Sequence, residues 1–265
     1  MNELQSDQAA ALANLISREI SLAAQTTELI GAVQLKAAKI LSAWHGQLRP
    51  DSQAAAIYAC FLHTLARRLL EPKLGVELTS EYMERWQAWP LIIERFLKHH
   101  GKEWLPPEER TYRGCLLTTF AESLKSLGLA FGADDPDRWP WGETHQAVFT
   151  HKLTELAPWA GRLLNPPPQM VGGDGYSVNT AEVEPGFNRG RFHARAGSTT
   201  RLLIDMGDSS KFYAGLSLGQ SGQLFSPFAR NQLRSWVEVA PYPVAFSAEE
   251  IERQTEHKLF LRNSK

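Results

Sequence analysis

Two cysteines, Cys60 and Cys115, are all that the 265 residues contain. Neither stands in a CxxC pair or beside a histidine, so buried reduced thiols are favoured over a disulfide or a metal ligand. An excess of one charge sign is also missing: 28 basic residues face 29 acidic ones, a formal net charge of −1. That removes the long-range attraction used by nucleic-acid and anionic-lipid binders, and neither nucleic acid nor a membrane is an expected partner. No apolar run reaches the ~20 residues that span a bilayer. The opening Met1-Asn2-Glu3-Leu4-Gln5-Ser6-Asp7 is acidic and polar where a secretory signal is basic and then apolar. Internal repeats and low-complexity tracts are lacking too.

What is present is a globular composition, 43% hydrophobic, enough to bury a substantial core. From Leu4 to about Leu129 the apolar period is helical. Leu12, Leu15, Ile16 and Ile20 share one face, and Ile30, Val33, Ala37, Ile40, Leu41 and Trp44 another. The turn through Gly46 and Pro50 ends the second helix. Asp51-Ser52 supplies side-chain oxygens to cap a third, in which Tyr58, Phe61, Leu62, Leu65 and Leu69 align. A fourth starts near Thr79, and Pro90, lacking an amide hydrogen, must kink or divide it. A fifth carries Leu116, Leu117, Phe120, Leu124 and Leu127.

Near residue 135 the texture changes to glycine, proline and short apolar runs, dividing a helical segment, 1–135, from a β-rich one, 136–265. Residues 176–179, 201–206, 212–218 and 258–261 read as strands, and 231–237 and 248–255 as helices. The fold class expected is α+β, a helical N-terminal half followed by a β-rich C-terminal half.

Several patterns invite chemistry and fall short of it. Ser221 in Gly219-Gln220-Ser221-Gly222 resembles a nucleophile elbow, but Gln223 stands where the second glycine is needed and Ser226-Pro227 follows in place of a helix. His145 with His151, and His99 with His100, lack the helical i, i+4 spacing of a zinc helix. Gly172-Gly173-Asp174-Gly175 is a glycine-rich loop with no helix behind it to cradle phosphate, so a turn using positive φ is favoured. Trp139, Trp141 and Trp159 read as packing rather than as a stacking platform.

The order of these features carries more than any one of them. Gln5 and Asp7 precede the first helix; Trp44-His45-Gly46 is followed by Asp51-Ser52-Gln53; Trp139-Pro140-Trp141-Gly142-Glu143-Thr144-His145 runs on to His151. Then come Gly172, Gly173 and Asn179, Gly197-Ser198 with Arg201 and Asp205, and Gly219-Gln220-Ser221-Gly222 with Gln232 and Trp236. In that order they resemble the C-terminal part of the penicillin acylase (penicillin amidase) family, with departures at His45, Lys152 and Phe228.

The resemblance implies an N-terminal nucleophile hydrolase of αββα architecture, of which this chain holds a part. In that family a precursor cuts itself to expose a serine as the first residue of the β subunit, and the serine's own α-amine acts as base. The serine, the oxyanion-hole residues and the calcium ligands belong to regions upstream of the matched segment. No residue here is therefore expected to be catalytic or metal-binding, and the chain itself carries no cofactor. Trp44, Gly46, Asp51, Ser52, Trp141, Gly142, His145, Gly172, Gly173, Asn179, Arg201, Asp205, Gly219, Gln220, Ser221 and Gly222 are expected to be structural. The expected partners are the α subunit, the N-terminal part of the β subunit and, for the complete enzyme, a small-molecule amide. Met1 reads as an internal methionine taken as a start, and Gly197-Ser198 as a turn rather than a processing site. The resemblance further implies a periplasmic or secreted parent enzyme. The alternative is a non-catalytic relic or binding module that kept the scaffold.

Overall fold

The computed structural model describes residues 4–25, 30–86, 88–184, 192–208 and 210–262; Met1 lies outside them. The chain is α+β, with helices dominating the N-terminal half and two small sheets in the C-terminal half. It divides into two compact units, Met1–Gly197 and Ser198–Lys265. The change of texture near residue 135 falls inside the first unit, between its last long helix and the short elements that follow.

The periodic apolar faces become α1 (Asp7–Ala24), α2 (Ala32–Ser42), α3 (Gln53–Leu74), α4 (Val76–Arg85), α5 (Trp89–His99) and α6 (Tyr112–Phe131). Side chains cap three of them: Ser6, Ser52 and Thr111 accept amide hydrogens from Ala9, Ala55 and Gly114, satisfying donors that the first turn leaves free. Pro90 divides the expected fourth helix in two. It sits in the first turn of α5, where its missing N–H costs no intrahelical bond.

In α3 every residue from Ala54 to His63 is buried. The alignment of Tyr58, Phe61 and Leu62 understated this helix: it packs against α2, α4, α5 and α6 and forms the axis of the core rather than one amphipathic wall. Cys60 and Cys115 are buried free thiols, and the Cys60 Sγ donates to the Ser123 carbonyl at 3.3 Å.

After α6 come α7 (Trp141–Thr144) and two single-turn helices, α8 (Leu153–Leu156) and α9 (Gly161–Leu164). The strands β1 (Gln146–Ala147), β2 (Gln169–Met170), β3 (Ala181–Val183) and β4 (Ala194–Gly197) form a sheet of order β2-β1-β4-β3. Only β1 and β4 run parallel in it. The second unit holds an antiparallel sheet of β5 (Thr200–Ile204), β6 (Phe212–Leu216) and β7 (Tyr242–Pro243), with α10 (Leu233–Glu238) and α11 (Ala248–Gln254).

Two expected strands are corrected. Residues 176–179 form bends: the Asp174 Oδ1 accepts the amides of Tyr176 and Ser177, both at 2.8 Å, and this local bonding competes with a ladder. Residues 258–261 pair with no strand among the described residues, and Leu259, Phe260 and Leu261 are exposed.

Gly46 has φ +85°, and a Cβ there would lie 2.3 Å from the Ser6 carbonyl oxygen. Gly46→Ala is expected to cost about 3 kcal/mol, from a disfavoured backbone region and a displaced N-terminal segment. Ser52→Ala, which removes only a cap, is expected to cost about 1 kcal/mol. Urea denaturation followed by circular dichroism measures both, and an unchanged midpoint for Gly46→Ala would refute the close approach.

Candidate functional site

The segment between α2 and α3 is a row of backbone acceptors for distant parts of the first unit. The Gly46 carbonyl accepts the Ser6 amide at 2.9 Å, that of Leu48 the Gly173 amide at 2.8 Å, that of Pro50 the Gly142 amide at 2.7 Å, and that of Ser52 the Trp141 amide at 3.0 Å. Such contact between main chains needs absent side chains. A Cβ on Gly142 would sit 2.9 Å from those of Pro50 and Met170, one on Gly172 2.5 Å from the Leu48 oxygen, and one on Gly173 2.5 Å from the Asn179 oxygen.

Trp141 fixes this junction. Its indole is fully buried, donates to the Gly173 carbonyl at 3.2 Å and stacks on His145 with centroids 4.4 Å apart. His145 is also fully buried, with Nδ1 2.7 Å from the Phe192 carbonyl; burial outweighs that bond and lowers its pKa to about 4. Trp44 donates to the Gln47 carbonyl and packs on Tyr58. Asp51 does not share the cap: it pairs with Arg49 at the surface, which holds its carboxyl below the ordinary range. The residues from Trp44 to Gly173 thus gather around one junction, with Asn179 closing the neighbouring turn.

Beside this junction the first unit encloses a cavity of about 310 Å³. Tyr58 and His63 of α3, Trp89 of α5, Trp141 of α7, and Asp174 and Glu182 of the chain beyond line it. His63 is 5% exposed, packs edge-on to Trp89 at 4.9 Å and against Phe192 at 5.3 Å, and its Nδ1 has no hydrogen-bond partner among the described residues. Burial, helped by nearby Arg67, pushes its pKa down to about 3, so the ring is neutral. Burial raises the Asp174 carboxyl against the two amides that hold Oδ1. Sequence reasoning missed His63, Tyr58, Trp89 and Glu182. The available signal was a lone imidazole in the middle of an otherwise apolar helix.

The remaining motif residues belong to the second unit. Arg201 lies over the Trp236 ring, 5.0 Å from its centroid, and donates to the Trp236 carbonyl, while the indole donates to the Ser198 carbonyl at 2.6 Å. Asp205 accepts the Gly207 amide at 2.9 Å in a turn. A Cβ on Gly219 would fall 2.1 Å from the Phe228 oxygen, Gln220 and Gly222 are exposed, and the Ser221 hydroxyl accepts the Gln223 amide at 3.1 Å. Ser221 therefore closes a turn and is not presented as an elbow nucleophile. Gly197-Ser198 is the junction between the two compact units. Trp139 and Trp141 are buried and Trp159 is 81% exposed, so the three tryptophans do not make one platform.

Comparison with known proteins places these observations. The model of the penicillin amidase family matches residues 1–253. The chain is 27% identical to penicillin acylase 2 proenzyme of Pseudomonas sp. (strain SE83), over 92% of this chain and 31% of that protein. It is 24% identical to acyl-homoserine lactone acylase QuiP of Pseudomonas syringae pv. tomato, over 74% of this chain and 24% of that protein. With its counterpart from Pseudomonas aeruginosa the identity is 23%, over 80% and 27%. The chain spans between about a quarter and a third of the length of these curated relatives.

The two buried histidines set a pH dependence. Unfolded, each imidazole takes up a proton near pH ~6.5; folded, His63 and His145 stay neutral to about 3 and about 4. Between those limits the unfolded chain binds more protons, so stability falls as pH falls, by about 2 kcal/mol per histidine at pH ~5. The raised Asp174 carboxyl works in the opposite direction. Urea titrations at pH ~7.5 and ~5 are expected to show the loss, and His63→Phe, which keeps an aromatic ring against Trp89, is expected to remove about half of it. An unaltered slope in that variant would refute the neutral buried ring.

Proposed function

The chain belongs to the penicillin amidase family, and from that premise we propose that it is the C-terminal portion of an amidohydrolase that cleaves linear amides only together with an upstream portion. The observation that carries this reading is the collinear family match over residues 1–253 against relatives three to four times as long.

The upstream portion supplies an amino-terminal serine. An α-amine has an ordinary pKa near ~8 and reaches the hydroxyl of its own residue, so one residue serves as nucleophile and base. Backbone or side-chain donors then stabilise the tetrahedral oxyanion. The part played by this chain is structural: its junction at residues 46–52 and its sheets hold their shape while the chemistry takes place elsewhere. Among the described residues no three His, Cys, Asp or Glu side chains gather to hold a metal ion.

The second unit supports the reading physically. Leu202, Leu203 and Ile204 are consecutive in β5 and therefore point to both faces of the sheet, yet they are 53%, 45% and 52% exposed. An apolar run of this kind is typical of a strand covered on both sides. Among the described residues β5 pairs with β6 alone, so its other edge is open. A complete enzyme would cover both. The parent enzyme is assigned to the periplasm or the extracellular medium, where fractionation of the native host would find it.

Mixing the chain with a separately produced upstream portion is expected to yield hydrolysis of a phenylacetylated chromogenic amide or of a long-chain acyl-homoserine lactone, at a rate at least ~10-fold above either part alone. The acyl group preferred between these two probes defines the substrate. The chain alone is expected to scatter light and bind a dye for exposed apolar surface. A monomer with a cooperative melt and no gain in turnover in any mixture would mark a non-catalytic module instead.

A further inference from the structure

The excursion that joins β1 to β2 is built inside out. Its ends are fixed, because Ala147 and Gln169 are ladder partners, and polar bonds of its own hold its shape. The Asn165 side chain accepts the His151 amide at 2.8 Å, and the Thr154 hydroxyl donates to the His151 carbonyl at 2.6 Å. The amides of Ala160 and Asn165 donate to the Ala157 and Gly161 carbonyls, each at 2.9 Å. From His151 to Asn165 the buried residues are Thr154 and Ala160. The large apolar side chains recur at every third or fourth position, at Leu153, Leu156, Trp159 and Leu163, and all four are exposed, Leu156 by 88% and Trp159 by 81%. A helical segment in water buries such a stripe and exposes its small and polar residues; here the order is reversed. Single exposed leucines are ordinary, whereas a set of large apolar groups on one short segment, with a tryptophan among them, has the composition of an interface centre.

We propose that Leu153, Leu156, Trp159 and Leu163 form the surface by which the first unit holds the upstream portion of the parent amidohydrolase, an inference that rests on the two-part function argued above and names a contact which that function requires. Charge speaks against an anionic partner. From His151 to Asn165, Lys152 and Arg162 against Glu155 leave one net positive charge with histidine neutral, and Lys152 pairs with Glu155 at 2.8 Å; an anionic lipid surface takes clusters of ~4–8 basic residues. The length of the relatives points to the occupant. The family match runs through these residues, within 1–253, while the matched segment is 31% of one curated relative and 24% of another, so most of each relative lies outside it and is available to cover the face. A segment whose own hydrogen bonds already hold its shape loses little backbone freedom on association. Trp159 is the anchor, since an indole brings a large contact area at the cost of two rotatable bonds.

The test immobilises the separately produced upstream portion and titrates the full chain over it, with amide hydrolysis of the same mixtures measured beside binding. Trp159→Ser is expected to weaken the complex at least ~30-fold, the loss that defines an interface hot spot, and Leu156→Ser about tenfold. Leu129→Ser, which removes a leucine 73% exposed on α6, is expected to leave it unchanged. A second measurement needs no disruptive variant: the fluorescence of the wild-type chain less that of Trp159→Phe isolates one indole, whose emission is expected to move to shorter wavelength as the complex forms. A wild-type complex that Trp159→Ser leaves intact, an equal loss in Leu129→Ser, or an indole whose emission does not move overturns the proposal while the two-part function stands. Absence of any complex or turnover with the wild-type chain overturns that function, and this contact with it. A dimer of the chain alone that depends on Trp159 and persists beside the upstream portion gives the face to a second copy, and likewise overturns the proposal.

Discussion

Buried main-chain carbonyls must find donors, and in this protein the carbonyls of residues 46–52 find them in three separate stretches of sequence. The N-terminal segment at Ser6, the start of α7 at Trp141 and Gly142, and the glycine loop at Gly173 all donate into the same short row. The constraint is steric as much as polar. Main chains meet at these distances only because Gly46, Gly142, Gly172 and Gly173 carry no Cβ, and Gly46 and Gly173 also occupy backbone conformations that other residues disfavour. Trp141 then fills the space that the glycines leave, and its single indole N–H ties the loop at Gly173 to α7. The helical layer and the small sheet of the first unit are joined through this row.

The core beside the junction is not uniformly apolar. α3 runs through its middle with every residue from Ala54 to His63 buried, and His63 lies on that helix among Trp89 and Phe192. Keeping an imidazole neutral there, and a carboxyl at Asp174 partly desolvated, costs stability that an aliphatic pair would not. Proteins tend to break such local rules where a site is built. His63 and Asp174 line the same cavity, and the other buried histidine, His145, is packed against Trp141 and held by the Phe192 carbonyl.

The second unit differs in its balance. Arg201 is held over Trp236, and Ser221, Asp205 and Gly219 each shape a turn. These contacts fix the loops around β5 and β6 while the apolar residues of β5, the Phe225 and Phe228 side chains and the stretch 259–261 stay in water. Isolated exposed hydrophobics are ordinary, and three in succession on one strand are the run found in strands covered on both faces.

The sequence alone determined the elements whose cause is local. Five long helices followed from 3.6-residue periodicity, the kink or division of the fourth at Pro90 from a missing N–H, the cap at Ser52 from its hydroxyl, and β5 and β6 from runs of apolar and aromatic residues between turns. The family, too, was legible in the order of short motifs. Residues 176–179 misled because the Asp174 carboxylate and Ser177 offered the backbone local partners, which no alternation of apolar residues reveals. Strands of two to four residues, as in β1, β2 and β4, are too short to carry a period at all. Tertiary structure alone decided why the glycines matter and where polar groups converge. His63 and Asp174 stand more than a hundred positions apart, and only the tertiary packing of the first unit sets both around one cavity, because burial is a property of a folded surface and not of a residue's neighbours in the chain.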